Sequence, residues 1–119
     1  IIARNLEERN KSVLFVGSHV YLYPSLRECA IDPPLTILEA MSYGLCTIAT
    51  KVQSIPYIIR HGRRGILIPK PTPSSIYQAL KLCLISKTLL TECSYNAWLY
   101  TKQVHNEPAV TKYLKKLIH

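Results

Sequence analysis

The sequence lacks the long apolar run that a membrane-spanning helix requires. Its longest apolar stretch, 79–85, is interrupted by Lys81 and is far shorter than the roughly 20 residues that cross a bilayer. The four cysteines are widely separated and include no CxxC pair, unlike those of small secreted domains. We therefore expect free thiols in a reducing cytoplasm, with Cys46 and Cys83 buried at apolar positions of a strand and a helix.

The chain also lacks a natural start. It begins Ile1-Ile2-Ala3-Arg4, without an initiator Met, a basic signal region or a small-residue cleavage site, so we expect it to be part of a longer protein. Its composition, with 48% hydrophobic and 18% charged residues, is typical of a globular chain. A length of 119 residues is enough for one core, and a single domain over 1–119 is expected.

Acidic residues are scarce. The chain contains seven Asp and Glu residues and fifteen Lys and Arg residues, which gives a formal net charge of +8. Asp32 is the single aspartate. This balance favours anionic partners such as a nucleotide phosphate, a nucleic acid or an acidic membrane surface. Charge alone does not select among these three.

Hydrophobic patterning predicts strands and helices that alternate along the chain. The segment 6–18 favours a helix, although 13–16 alone is typical of a strand. Asp32 and Thr72 each precede a proline, a pattern that caps a helix start, and Gly44 is typical of a helix end. Strands are predicted at 1–3, 20–23, 45–50 and 66–68, and helices at 33–43, at 55–60, from 73 onward, at 89–102 and at 110–118.

The alternation predicts an α/β architecture in which parallel strands are joined by crossover helices, with helices on both faces of the sheet. The helix that begins at Pro73 shows one apolar face at helical spacing. The residues of that face are Ile76, Ala79, Leu80, Cys83 and Leu84. The chain is therefore expected to form half of a doubly wound, Rossmann-like fold.

The loop 24–31 should leave the carboxyl end of a strand, where open parallel sheets bind ligands. It feeds the helix that Asp32 is expected to cap, and the free N–H groups near Leu35 and Thr36 suit a diphosphate. Glu39 lies about two turns after Asp32, so its carboxylate could accept both hydroxyls of a ribose. A solvated mid-helix glutamate is the alternative.

Short motifs in the region 20–69 follow one another in the order and close to the spacing of a known family. They are Tyr23-Pro24-Ser25, Leu38-Glu39-Ala40-Met41 with Gly44, Ile48-Ala49-Thr50, Ile55-Pro56, His61-Gly62 and Gly65-Ile66-Leu67-Ile68-Pro69. The chain resembles the retaining glycosyltransferases of family 4, which have the GT-B fold, over roughly 20–119. The resemblance implies the C-terminal, donor-binding half of such an enzyme, with the N-terminal acceptor domain as its partner.

In that family the glutamate of the LEAM-type motif binds the ribose of the nucleotide sugar, which the resemblance assigns to Glu39. The neighbouring helix start, Pro34 with Leu35 and Thr36, is then also donor-binding. The family's earlier acidic residue, eight positions before the glutamate, is replaced here by isoleucine. Asp32 and Glu28 are the alternative candidates for that catalytic acid, and a helix cap is the competing interpretation of Asp32.

The expected donor is a UDP- or GDP-sugar, used without cofactor or metal, because a single aspartate excludes the DxD metal motif of the other major glycosyltransferase fold. The family's diphosphate-gripping basic pair lies upstream of Ile1. We therefore expect this chain alone to bind donor weakly and to transfer nothing. A cytoplasmic location is expected, and no nucleic acid partner.

Two basic clusters admit two interpretations each. Arg63 and Arg64, beside Arg60 and His61, either flank the nucleotide or form a basic turn. The lysines of the last helix either contact the inner membrane face peripherally or form a solvated helix face. Those lysines are Lys112, Lys115 and Lys116, and Lys102 at the end of the preceding helix could add to them.

Two other functions remain open from the sequence. A small basic α/β module could bind nucleic acid or a protein without catalysis, because the net charge favours anionic partners. A GT-B-fold epimerase that acts on a nucleotide sugar would share the donor site with a transferase.

Overall fold

A computed structural model of the chain describes residues 17–25 and 32–103. Within these two ranges the chain forms three strands and four helices. They are β1 Val20–Tyr23, α1 Leu35–Ser42, β2 Cys46–Thr50, α2 Ile55–Ile59, β3 Gly65–Ile68, α3 Pro73–Ile85 and α4 Lys87–Gln103. The predicted strand at 1–3, nearly all of the predicted helix at 6–18 and the predicted helix at 110–118 lie outside the described residues.

The three strands form a parallel sheet in the order β1-β2-β3. Leu22 pairs with Ile48, which in turn pairs with Ile66 on the far side. All five residues of β2 are buried, because the strand has a neighbour on each side and helices above and below. A continuous run of β-branched and small apolar residues suits such a strand.

The core is divided into two layers by the sheet. On one face, Tyr21, Leu45 and Ala49 pack against α1 and α2. On the other, Ile48 and Ile66 belong to a second cluster with residues of α3 and α4. Successive strand residues thus alternate between the layers, as the pleat requires. The predicted α/β sheet with helices on both faces is confirmed.

Three buried cysteines meet in the second layer. Cys46 on β2, Cys83 on α3 and Cys93 on α4 are free thiols. Hydrogen bonds with the Cys83 and Cys93 thiols, together with burial, raise the pKa of the Cys46 thiol, so it stays protonated at neutral pH. The expectation that Cys46 and Cys83 are buried, free thiols is confirmed, and Cys29 lies outside the described residues.

Two predicted helix boundaries agree with the structure. Thr72 is the N-cap of α3 and its hydroxyl accepts a hydrogen bond from the Ser75 N–H at 3.2 Å, with Pro73 in the first helical position. Gly44, with φ +75°, follows the end of α1, and its N–H donates to the Met41 carbonyl at 2.9 Å. A left-handed glycine is the usual way to close a helix.

The predicted start of α1 is wrong. The helix begins at Leu35 with Pro34 as its N-cap, and no side chain caps it. Consecutive prolines explain the shift, because a residue that precedes proline avoids the helical conformation, and Pro33 precedes Pro34. Asp32 therefore lies outside the helix and is not its cap.

The predicted apolar face of α3 is partly wrong. Ala79 and Cys83 are buried and Ile76 and Leu80 half-buried, but Leu84 is 80% exposed. Leu84 lies about 100° around the helix from Cys83, which turns it away from the sheet. Within the described ranges, no helix is both long enough and apolar enough to cross a bilayer.

Gly65 marks a close approach between β3, β2 and α2. A Cβ at this position would overlap the Thr47 carbonyl oxygen and lie 2.9 Å from the Ile59 side chain. Neither neighbour can withdraw, because Thr47 belongs to the fully buried strand and Ile59 is buried in the core.

We predict that Gly65→Ala lowers the free energy of unfolding by about 2–3 kcal/mol, since overpacking at a rigid site forces the backbone apart. Urea denaturation followed by circular dichroism measures the change. Gly17→Ala is the matched control, because a Cβ there meets nothing within 4 Å. Equal stability of the two variants would contradict the proposed crowding.

Candidate functional site

The carboxyl ends of the three parallel strands lie at one edge of the sheet. Three segments leave this edge: the one that joins Tyr23 to α1, the one at 51–54 and the one at 69–72. Such an edge is where open α/β sheets bind ligands, because loops there diverge and leave a crevice. A ligand bound at this edge would therefore contact the start of α1 and the side chains beneath it.

The segments that follow β1 and β2 are tied together at two points. The Thr50 hydroxyl donates to the Ser25 carbonyl. Further along, Asp32 Oδ1 accepts hydrogen bonds from the Ser54 N–H at 3.2 Å and from the Ser54 hydroxyl at 2.5 Å. We call this second tie the Asp32–Ser54 clasp. It fixes the approach to α1 against the approach to α2.

The first turn of α1 presents its backbone amides at this edge. Pro34 is extended, with φ −59° and ψ 127°, and its carbonyl accepts the first hydrogen bond, from the Ile37 N–H at 3.1 Å. The N–H groups of Leu35 and Thr36 precede that bond, so they have no partner in the helix ladder. They also lie at the positive end of the helix dipole, which favours an anion.

Glu39 lies on the same face of α1 as Thr36, one turn further along, and its side chain is half-buried. Tyr21 of β1 lies beneath both, with its side chain hydrogen-bonded to that of Thr36. Burial raises the pKa of Tyr21; the Thr36 hydrogen bond opposes the rise and the charge of Glu39 adds to it. The neutral phenol of Tyr21 thus interacts both with the Thr36 hydroxyl and with the charge of Glu39.

Two lysines at this edge were missed by the sequence reasoning. Lys51 directly follows β2, and Lys70 lies two residues after β3, both exposed. Their location could have been predicted, because each follows a strand that the patterning had identified. Tyr21 and Ser54 gave no comparable signal, since their roles depend on contacts with distant parts of the chain.

Arg63 and Arg64 do not share this edge. They precede β3 and therefore lie at its amino end, on the opposite side of the sheet. The Arg64 guanidinium donates to the carbonyls of Ile58 at 2.6 Å and Tyr57 at 3.1 Å, and it lies 4.1 Å from the Tyr100 ring centroid. Its contacts hold the end of α2 against α4, so the basic turn is the interpretation that fits.

Glu28, the other candidate acid, lies outside the described residues, as do Lys112, Lys115 and Lys116. Among the residues that the structure describes, no group of three or more His, Cys, Asp or Glu side chains is arranged to hold a metal ion.

A family model described as glycosyl transferases group 1 matches residues 4–85, more than half of the chain. No curated protein sequence matches the chain. The matched range includes the whole carboxyl edge described above, from β1 through the start of α3.

Solved structures share the fold. Sucrose-phosphate synthase from Thermosynechococcus elongatus covers 99% of this chain with a TM-score of 0.79 at 19% identity. The C-terminal domain of a glycosyl transferase group 1 family protein, LpcC, from Francisella tularensis covers 89% with a TM-score of 0.74 at 20% identity. Anabaena HepE in complex with UDP covers 88% with a TM-score of 0.72 at 16% identity.

The chain spans only part of these proteins: 29% of the synthase, 53% of the Francisella domain and 28% of HepE. At these identities the likeness shows the fold alone. The neighbours are GT-B glycosyltransferases, so the expected half of a GT-B fold is confirmed.

We predict that Asp32→Ala and Ser54→Ala are energetically coupled, because each removes the partner of the other in the clasp. A double-mutant cycle of urea unfolding should give a coupling energy of about 1–2 kcal/mol. Asp32→Ala combined with Ser74→Ala serves as the control pair, since Ser74 lies at the start of α3 and should act additively. Additive losses at Asp32 and Ser54 would show that the clasp does not form in solution.

Proposed function

The chain belongs to the group 1 glycosyl transferases, and from this premise we propose that it binds a nucleotide-sugar donor at the carboxyl edge of its sheet. The donor is a UDP- or GDP-sugar, and the glycosyl group passes to a hydroxyl acceptor with retention of configuration. The observation that carries this proposal is the half-buried Glu39 on the same face of α1 as Thr36, one turn below the free amides of the helix start, with Tyr21 interacting with both side chains.

Glu39 is proposed to bind the ribose. Its carboxylate is half-buried on a rigid helix, close to the neutral phenol of Tyr21. A carboxylate accepts hydrogen bonds only, and the two vicinal hydroxyls of a ribose are two donors at matching spacing. Bonds to an ionised acceptor are about twice as strong as neutral ones, which suits a residue that anchors the donor.

The diphosphate is proposed to lie at the first turn of α1. The Leu35 and Thr36 amides and the helix dipole would stabilise its charge, including the charge that develops when the sugar leaves. Lys51 adds a cation at the same edge, in the segment that the clasp holds near the helix start. This arrangement requires no metal ion.

Asp32 is proposed to lie beside the donor sugar. Its Oδ1 takes both bonds from Ser54, and its Oδ2 has no hydrogen bond to any described residue. A carboxylate with one oxygen fixed and the other available could contact a hydroxyl of the donor sugar. Glu28 stays the alternative for this acidic position.

The chain is proposed to act as the donor half of a larger transferase. HepE has been crystallised with UDP, with UDP and glucose, and with UDP-glucose, which supports a nucleotide sugar here. We propose that an N-terminal acceptor domain completes the site, so that this chain alone binds donor without transfer. Cytoplasmic location and peripheral membrane contact stay predictions.

We predict that Glu39→Gln weakens binding of the preferred nucleotide sugar at least tenfold, because loss of the charged acceptor costs about 1.5–3 kcal/mol. Calorimetric titration with UDP-glucose and GDP-mannose measures the affinity and identifies the base. Glu92→Gln, on exposed α4 surface, is the matched control and should bind like the parent chain.

Unchanged affinity after Glu39→Gln would reject the ribose assignment. Steeply salt-dependent binding of oligonucleotides, without binding of either nucleotide sugar, would favour a nucleic acid module instead. Conversion of the donor to its epimer without acceptor, in the full-length enzyme, would identify an epimerase.

Lys51→Ala should weaken binding of UDP several-fold and leave binding of uridine unchanged, because the lost cation faces only the diphosphate. The effect should shrink as salt rises, since an exposed charge is screened. Lys81→Ala, an exposed lysine of α3, controls for the change in net charge. An equal loss for UDP in both variants would mean that Lys51 acts only through overall charge.

A further inference from the structure

An open cleft lies at the amino edge of the sheet, opposite the proposed donor site. Its volume is about 430 Å³, within the roughly 300–1,000 Å³ range of small-molecule sites. The segment before β1, the turn after α1 and one side of α4 form its walls. The lining residues are Ser18, His19, Gly44, Leu90, Thr91, Ser94, Tyr95 and Trp98; we call this site the aromatic cleft.

Two aromatic rings dominate its surface. Tyr95 is 57% and Trp98 37% exposed, and their ring centroids are 6.1 Å apart at an interplanar angle of 37°. The chain leaves both rings in water although burial of such side chains is strongly favourable. Lys102 Nζ lies 4.8 Å from the Trp98 ring centroid, so a cation also borders the cleft.

The polar residues of the cleft stand around these rings. Ser18 and His19 approach from the amino end of β1, while Thr91 and Ser94 lie on α4 beside Tyr95. Hydroxyl and imidazole groups both donate and accept hydrogen bonds. The cleft thus offers flat apolar surface in the middle, with groups near it that both donate and accept hydrogen bonds.

We propose that the aromatic cleft is a carbohydrate-binding site for a pyranose oligosaccharide. A pyranose ring has an apolar C–H face that stacks on an aromatic ring, and a rim of hydroxyls that both donate and accept. That pattern matches the cleft, whereas a phosphate group would find one bordering lysine, Lys102, among the residues that the structure describes. The choice of a glycan also rests on the proposed function, in which the chain handles sugars.

This site is separate from the donor site. The strands between the two edges contain four or five residues, which corresponds to a separation on the order of 15 Å. The cleft therefore binds a glycan without occupying the nucleotide-sugar position. Its role would be to keep an oligosaccharide acceptor or product attached to the enzyme while the donor is exchanged.

Intrinsic fluorescence tests the proposal directly, because Trp98 is the only tryptophan of the chain. The full chain is titrated with maltotetraose and with cellotetraose. We expect a saturable change in Trp98 emission with at least one of them. Tyr95→Ala should weaken that binding about tenfold, because it removes one stacking surface. Tyr57→Ala, a 78% exposed tyrosine on α2, is the matched control and should bind normally.

A second variant keeps the test valid if Tyr95→Ala fails to fold. Thr91→Phe adds a ring into the cleft from an exposed helix position and should abolish the fluorescence response without loss of thermal stability. Binding that survives both substitutions would overturn the proposal, as would no response to either tetrasaccharide at millimolar concentration.

Further control titrations distinguish glycan binding in the aromatic cleft from nucleotide-sugar binding at the donor site and from membrane binding. Glu39→Gln should leave tetrasaccharide binding unchanged, and loss of it there would overturn a separate site. A response to UDP-glucose alone would overturn the glycan site while leaving the proposed function intact. A response to phosphatidylglycerol vesicles, without one to tetrasaccharides, would identify the rings as a membrane contact and also overturn it.

Discussion

Burial of β2 on every side is the constraint on which the rest of the described structure depends. The strand pairs with β1 and β3, and both helix layers pack against it. Every neighbouring element must therefore fit closely against its side chains and backbone. Position 65 requires glycine, because α2 and β2 approach it so closely that no side chain fits. The alternation of Ile48 and Ala49 between the two layers sets which helices lie on which face.

The rigid strand also divides the molecule into two edges with different chemistry. At the carboxyl edge, the Asp32–Ser54 clasp and the Thr50–Ser25 bond hold two segments together around the first turn of α1. At the amino edge, the Arg64 guanidinium satisfies carbonyls at the end of α2 and stacks on Tyr100, so this charge stabilises the fold. The amino edge is therefore held by a cation, and the carboxyl edge by hydroxyl and carboxylate groups.

Much of the fold could be predicted from local signals. The buried run of β2, the Thr72-Pro73 helix start and the glycine after α1 each depend on neighbours within a few residues, and each agrees with the structure. The start of α1 was mispredicted because a cap signal at Asp32 competes with the Pro33-Pro34 pair, and the proline restriction is stronger. Asp32 instead accepts hydrogen bonds from Ser54, 22 residues away, and no local sequence pattern predicts such a pairing. For the same reason the electrostatic interaction between Glu39 and Tyr21 could not be predicted, although Glu39 itself could be singled out.

The meeting of Cys46, Cys83 and Cys93 joins three elements that are far apart in the sequence. All three side chains are buried, so a thiol reagent is expected to reach them only after the two helices separate from the sheet. Because β2 lies at the centre, that separation amounts to loss of the core. The rate at which the three sulfurs become alkylated should therefore report the rate of global unfolding. The three cysteines thus serve as a built-in probe of that process.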